Sequence, residues 1–165
     1  MPKKYEEQSR QSLPSQSNYW SKLLMPNRTY LDFLFETDED KAIKEFEKAI
    51  TIKPDFWQAI NNQGLAYFEI NNINLSIKHF ENAIAIQENA EPLLGLASCI
   101  RVNDMKLAIQ LAKKALAKDP KYVNYDYRKE QLWGEKLQAS TEILLQNEQL
   151  KKDVILAKSK INASS

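Results

Sequence analysis

Histidine and cysteine occur once each in this chain, as His79 and Cys99. That alone removes most familiar chemistry. A metal site built from His and Cys needs several ligands, and a multi-cysteine site or an intramolecular disulfide is excluded outright. A reactive thiol needs an accessible, electropositive setting; Cys99 falls in a column of apolar residues and reads as a small buried side chain. His79 lies between Lys78 and Phe80 on a predicted helix and is expected to face solvent. The acidic run Glu36-Thr37-Asp38-Glu39-Asp40 has the composition of a cation site. It equally suits the first turn of a helix, where each acid complements the macrodipole by about 0.3–1 kcal/mol. The glycines Gly64, Gly95 and Gly134 stand alone on predicted helices, so no loop is available to cradle a phosphate. No Ser-His-Asp or paired-carboxylate arrangement stands out. The expectation is a protein that is not an enzyme, with no catalytic residues, cofactor or metal.

Composition narrows the class of partner. The 165 residues carry 23 Lys and Arg against 22 Asp and Glu, a net charge of +1. Nucleic-acid binders show a basic face that this balance does not supply, and general affinity for anionic membranes is not expected either. Met1-Pro2-Lys3-Lys4 is not followed by the apolar run of a secretory signal. The longest nearly unbroken apolar stretch, Leu93–Ile100, is far short of the roughly 20 residues that span a bilayer. A cytoplasmic location without stable membrane insertion is the expectation.

The elements come from an internal repeat. Lys41–Asp55, Leu75–Asn89 and Leu107–Lys121 align column by column, 34 and then 32 residues apart. Ala42, Ser76 and Ala108 share a column, as do Phe46, Phe80 and Ala112, and again Ala49, Ala83 and Ala115. A period near 34 with helical spacing inside each copy signals a solenoid of helix pairs. Asp38, Asn72 and Asp104 fall where a side-chain acceptor caps the second helix. Asn71 and Asn103, one residue earlier, suit the left-handed residue that ends the first helix. Pro54 and Pro120 close their copies. The predicted organisation is a disordered polar leader over 1–17, repeats over 18–122 (about 23–56, 57–88 and 89–122), and a helical cap over 123–160. After the leader, Tyr19, Trp20, Leu23 and Leu24 form the apolar side of a short helix. Trp133, Leu137, Ile143, Leu144 and Leu150 form the apolar side of the cap.

These columns resemble the tetratricopeptide repeat. The middle copy matches best, with Gly64, Tyr67, Ser76, Phe80 and Ala83; the first keeps Ala42, Phe46, Ala49 and Pro54, and the third Ala108, Ala115 and Pro120. Tyr30 and Leu96 stand in the glycine column of the outer copies, and Ala112 in the aromatic column. The ending Asp126–Leu137, with Leu132-Trp133-Gly134, is similar to the caps of some small cyanobacterial proteins of this repeat class. The resemblance implies an all-α, right-handed solenoid of three helix pairs with a C-terminal capping helix, its first helices lining a concave groove. Groove positions carried over from the family are Leu31, Leu34 and Phe35; then Gln58, Asn61, Leu65, Phe68 and Glu69; then Ala97, Ile100 and Arg101. Some members grip the C-terminal carboxylate of chaperone tails with Lys, Asn and Arg. Here Asn62 matches one element, but Asn27, Leu31, Ala90 and Leu94 supply no base, so such a clamp is not expected.

The expected function is a protein-interaction module that takes a peptide or helix of another protein into an apolar groove. Two alternatives stand beside it: an assembly factor or chaperone-like holder for a membrane-complex subunit, and a structural homo-oligomer. The groove columns have a second reading as well, in which the chain's own N-terminal segment or cap covers them.

Overall fold

The computed structural model describes residues 39–163. The expected leader, the apolar Tyr19–Leu24 segment, the first helix of the first copy and the groove residues Leu31 and Phe35 lie outside that range. So does Asp38. The described chain is helical, with no strand among its residues. Helix α1 spans Glu39–Ile52, α2 Trp57–Glu69, α3 Ile73–Ile86, α4 Ala90–Ile100 and α5 Met105–Lys118. A 3-10 turn, Pro120–Val123, leads into α6, Tyr125–Glu130, and α7, Glu135–Leu145. A second 3-10 turn, Glu148–Leu150, leads into α8, Lys151–Ala163. Consecutive helices pack in pairs, α2 with α3 and α4 with α5.

Local chemistry sets the boundaries. Asn72 and Asp104 cap α3 and α5, accepting the N–H of Leu75 at 3.3 Å and of Leu107 at 2.9 Å. Asn71 ends α2 with φ 63, and Asn71 and Asn72 donate back to the carbonyls of Phe68 and Tyr67. This double closure is the Schellman arrangement, which Asn tolerates better than most residues. Asn103 does not repeat it: the chain leaves α4 through Arg101 in the right-handed region, and Asn103 keeps a negative φ. Helices α1 and α5 stop two residues before Pro54 and Pro120, whose rings cannot continue a helix.

The small residues of the shared columns are the contact points. Ala42, Phe46, Ala49, Phe80, Ala83, Ala108, Ala112 and Ala115 are all fully buried. Phe80 is wedged between two glycines. A Cβ on Gly64 would lie 2.8 Å from its ring, and one on Gly95 would lie 2.7 Å away. The sequence columns assign Leu96 to the glycine position of the third copy, yet Gly95 makes the close approach. Ser76 completes the α2–α3 contact by donating to the Gly64 carbonyl at 2.7 Å. Cys99 is buried 3.4 Å from the Ser76 hydroxyl, and desolvation pushes its thiol up to about 12, so no thiolate forms near neutral pH. His79 is half-buried, stacked on Tyr67 with centroids 5.1 Å apart, rather than facing solvent. Burial, with Lys78 adding to it, lowers its pKa.

After Pro120 the chain turns back over the repeats. Arg128, fully buried, donates to Gln138 at 2.7 Å, to the Tyr122 carbonyl at 2.7 Å and to Glu142. One side chain thereby ties α6, α7 and the 3-10 turn together. Leu137, Leu144, Leu150 and Trp133 are buried as the apolar pattern requires, but Ile143 is 52% exposed. Helix α8 lies against α5 and the first 3-10 turn, burying Ala157, and Lys113 pairs with Asp153 at 3.7 Å.

Candidate functional site

The first helices of the pairs, α2 and α4, form one wall, and α7 lies across it. Its N-terminus shows how firmly it is seated. Gly134 occupies the cap position and has no side chain to offer. The missing acceptor comes from α2: the Glu69 carboxylate takes the N–H of Leu137 at 3.0 Å and of Lys136 at 3.2 Å. Lys136 returns a bond from its ammonium group to the Glu69 carbonyl. Two unsatisfied donors and the positive end of the helix dipole are thus answered by an acid from 67 residues upstream. A Cβ at position 134 would meet that carboxylate, so a larger residue there must displace the Glu69 side chain from its capping position.

Further along α7, hydroxyl groups knit it to α4. Ser140 donates to the Ser98 carbonyl at 2.8 Å and accepts from Arg101 Nε at 2.7 Å. The hydroxyls of Ser98 and Thr141 lie 2.7 Å apart.

The turn before α7 is held by its side chains. Leu132 has φ 69, at the position where a Schellman closure of α6 favours Gly or Asn. Its N–H meets the Lys129 carbonyl and that of Trp133 the Arg128 carbonyl. A leucine there costs about 1–2 kcal/mol in backbone strain. Burial against the apolar cluster of Ala42, Phe46, Phe56 and Ala59 offsets the strain. Trp133 is 4% exposed and donates its indole N–H to Glu91 at 3.0 Å. Desolvation pushes the Glu91 carboxyl from its ordinary 4.5 up to about 7, against the opposing effect of hydrogen bonds from Trp133, Asn61 and Tyr122.

Of the sequence-predicted groove residues, those that the structure describes lie on or beside this covered face. Asn61, Leu65, Phe68 and Ala97 are buried; Gln58, Glu69, Ile100 and Arg101 are half-buried. Glu69 and Arg101 hold α7 directly, and Ile100 packs against the main core. Glu91, Ser98, Ser140 and Thr141 are part of the site and absent from the sequence reading, which assigned Trp133 and Gly134 to the cap and not to the groove. Gly134 was the available signal: it opens α7 from outside the helix rather than sitting within one.

The family model of the tetratricopeptide repeat matches residues 34–56 and 58–89, covering α1, α2 and α3. Over those residues the chain is similar to a tetratricopeptide repeat. The α4–α5 pair continues their packing beyond the matched residues, with Ala108 and Ala115 in the same buried columns. No curated protein matches the chain. Tetratricopeptide repeats generally mediate protein–protein interaction and are a non-catalytic repeat type. Among the described residues, no helix is long and apolar enough to cross a membrane.

Proposed function

We infer that the chain is a non-catalytic interaction module whose α2–α4 face receives a helix of another protein in the seat that α7 holds here. One observation supports this reading above the others. The face accommodates an amphipathic helix through directional groups, with Glu69 on its N-terminus and Ser98 and Arg101 along its side, as well as through apolar contact. Such a surface recognises a helix by its exposed N–H groups and its hydroxyl-bearing flank, in the manner of helix-in-groove binding. The occupant in this structure belongs to the same chain, so a partner helix competes with it. Its apparent affinity falls by the fraction of molecules in which α7 is seated.

Site-specific photo-cross-linking tests the surface. Cross-linkers at Gln58 and Asn62 on α2 are expected to capture the partner from native cell extract. Cross-linkers at the exposed Lys106 and Gln110 on α5 are expected to capture none. Adducts confined to α5 would overturn the reading.

A further inference from the structure

The net charge of +1 hides a division along the chain. Residues 39–104 hold six Lys and Arg against ten Asp and Glu, whereas residues 105–163 hold twelve against seven. Several of the twelve are committed to acids. Lys114 and Lys118 both pair with Glu88, and Arg128 is buried against Glu142. Helix α8 is the densest part of the excess, with Lys151, Lys152, Lys158 and Lys160 beside a single acid, Asp153. That acid is engaged by Lys113 of α5 at 3.7 Å. Lys151 reaches the exposed Glu148 at 3.5 Å; among the described residues no acid pairs with Lys152 or Lys158.

Helical spacing sorts α8 into two faces. Val154, Ala157 and Ile161, three and four residues apart, pack on the core and fix the helix to the molecule. The opposite face presents Ile155 and Leu156, 61% and 53% exposed, with the exposed Lys152 and Ser159 between them. Lys151 and Lys158 border this face on one side and Lys160 on the other. Leu156 also borders a shallow groove against α5, lined by Leu116 and Ala157. Two aliphatic side chains thus stand in water among four ammonium groups. Seating α8 on the core does not require them, because the inner face does that alone.

We propose that the outward face of α8 is a contact for an anionic lipid surface: Ile155 and Leu156 enter the headgroup region, and the surrounding lysines lie among the phosphates. An interfacial helix needs this combination, an apolar strip to bury and long cationic side chains that keep their charge in water while their stems follow the strip inward. Charge complementarity selects the occupant. The face carries no arginine and no aromatic ring, the groups that read bases or stack on them, so nucleic acid would meet only point charges and leave the aliphatic pair wet. A bilayer surface takes up both features at once. The contact is peripheral and reversible, since α8 stays docked on the repeats and only its outer side chains are immersed. It uses none of the α2–α4 face and goes beyond the partner reading.

Co-sedimentation of the full chain with vesicles tests the surface. Binding is expected to vesicles of phosphatidylcholine with roughly one-third phosphatidylserine, and not to phosphatidylcholine alone. Raising salt from about 0.1 M to about 1 M shortens the screening length from about 10 Å to about 3 Å and is expected to release most of the protein. Each lysine at such a surface is worth about fivefold, so Lys152→Ala with Lys158→Ala is expected to weaken binding about 25-fold. Ile155→Ser with Leu156→Ser is expected to weaken it about tenfold. Lys44→Ala with Lys48→Ala, the same charge change made on α1, should leave binding unaltered. Equal binding to both vesicle types, equal losses from the α1 and α8 lysine pairs, or no loss from the aliphatic pair would each overturn the proposal. So would binding of an acidic peptide or a DNA duplex with none to the anionic vesicles. Should an α8 variant fail to fold, the lipid and salt dependence of the unmodified chain decides. Failure here leaves the cross-linking result on α2 intact, and cross-links confined to α5 would leave the vesicle result standing.

Discussion

Phe80 is the side chain on which adjacent repeats depend. It fills the space left by Gly64 on one side and Gly95 on the other, so its ring bridges α2 and α4 from a position on α3. Phe80→Ala is expected to cost about 3–5 kcal/mol, seen as a lowered urea midpoint, because neither backbone can collapse fully into the gap. Gly95→Ala examines the same contact from the other side. The added Cβ meets the ring at 2.7 Å, and overpacking of this kind costs about 1–3 kcal/mol. An unchanged midpoint in either variant would contradict the wedge. Leu65 reads differently now than it does from sequence. At an open groove, Leu65→Asp would disturb a partner and spare the fold. At 1% exposure it places an unpaired carboxylate inside the protein and is expected to unfold it.

At the scale of helices, the repeats were legible and the cap only in outline. Helix pairing, the caps at Asn72 and Asp104 and the buried alanine columns follow from local spacing, which a periodic sequence states three times. The route of α7 follows from contacts written once each, between residues as far apart as Glu69 and Leu137. No local pattern marks an acid on one helix as the cap of another. Arg128 illustrates the same limit: a lone arginine in a polar helix reads as exposed, yet it is fully buried with three acceptors. Glu142 is its charged partner, and at 44% exposure water can replace part of what it gives. Glu142→Ala is therefore expected to cost about 2–3 kcal/mol, somewhat below the loss for a fully buried pair. A cost under about 0.5 kcal/mol in urea unfolding would show that water serves Arg128 equally well. Removal of α8 belongs to this scale too. In the structure α8 buries Ala157 and half-buries Val154 and Ile161 against the core, so its deletion is expected to lower the melting temperature measurably.

Across the whole molecule, α7 changes the way the repeats are coupled. In a solenoid each unit contacts its neighbours, and stability adds up along the stack. Helix α7 instead contacts both α2 and α4, and Leu132 reaches the cluster of α1 beyond them. The cap is thus a clasp across the stack as well as a lid on its end. A chain ending at Asn124 keeps helices α1 to α5 but loses the clasp, leaving the face of Leu65, Phe68, Leu94 and Ala97 without its cover. Apolar patches of that kind drive self-association. Light scattering on the truncated chain is expected to show dimers or larger species at concentrations where the full chain does not. Hydrogen exchange should rise in α1 and α2 as well as in α4, because all three lose a shared contact. If the shortened chain stays monomeric and only α4 and α5 exchange faster, α7 caps the last pair alone. The helix would then be an ordinary end to the solenoid rather than an occupant of its concave face.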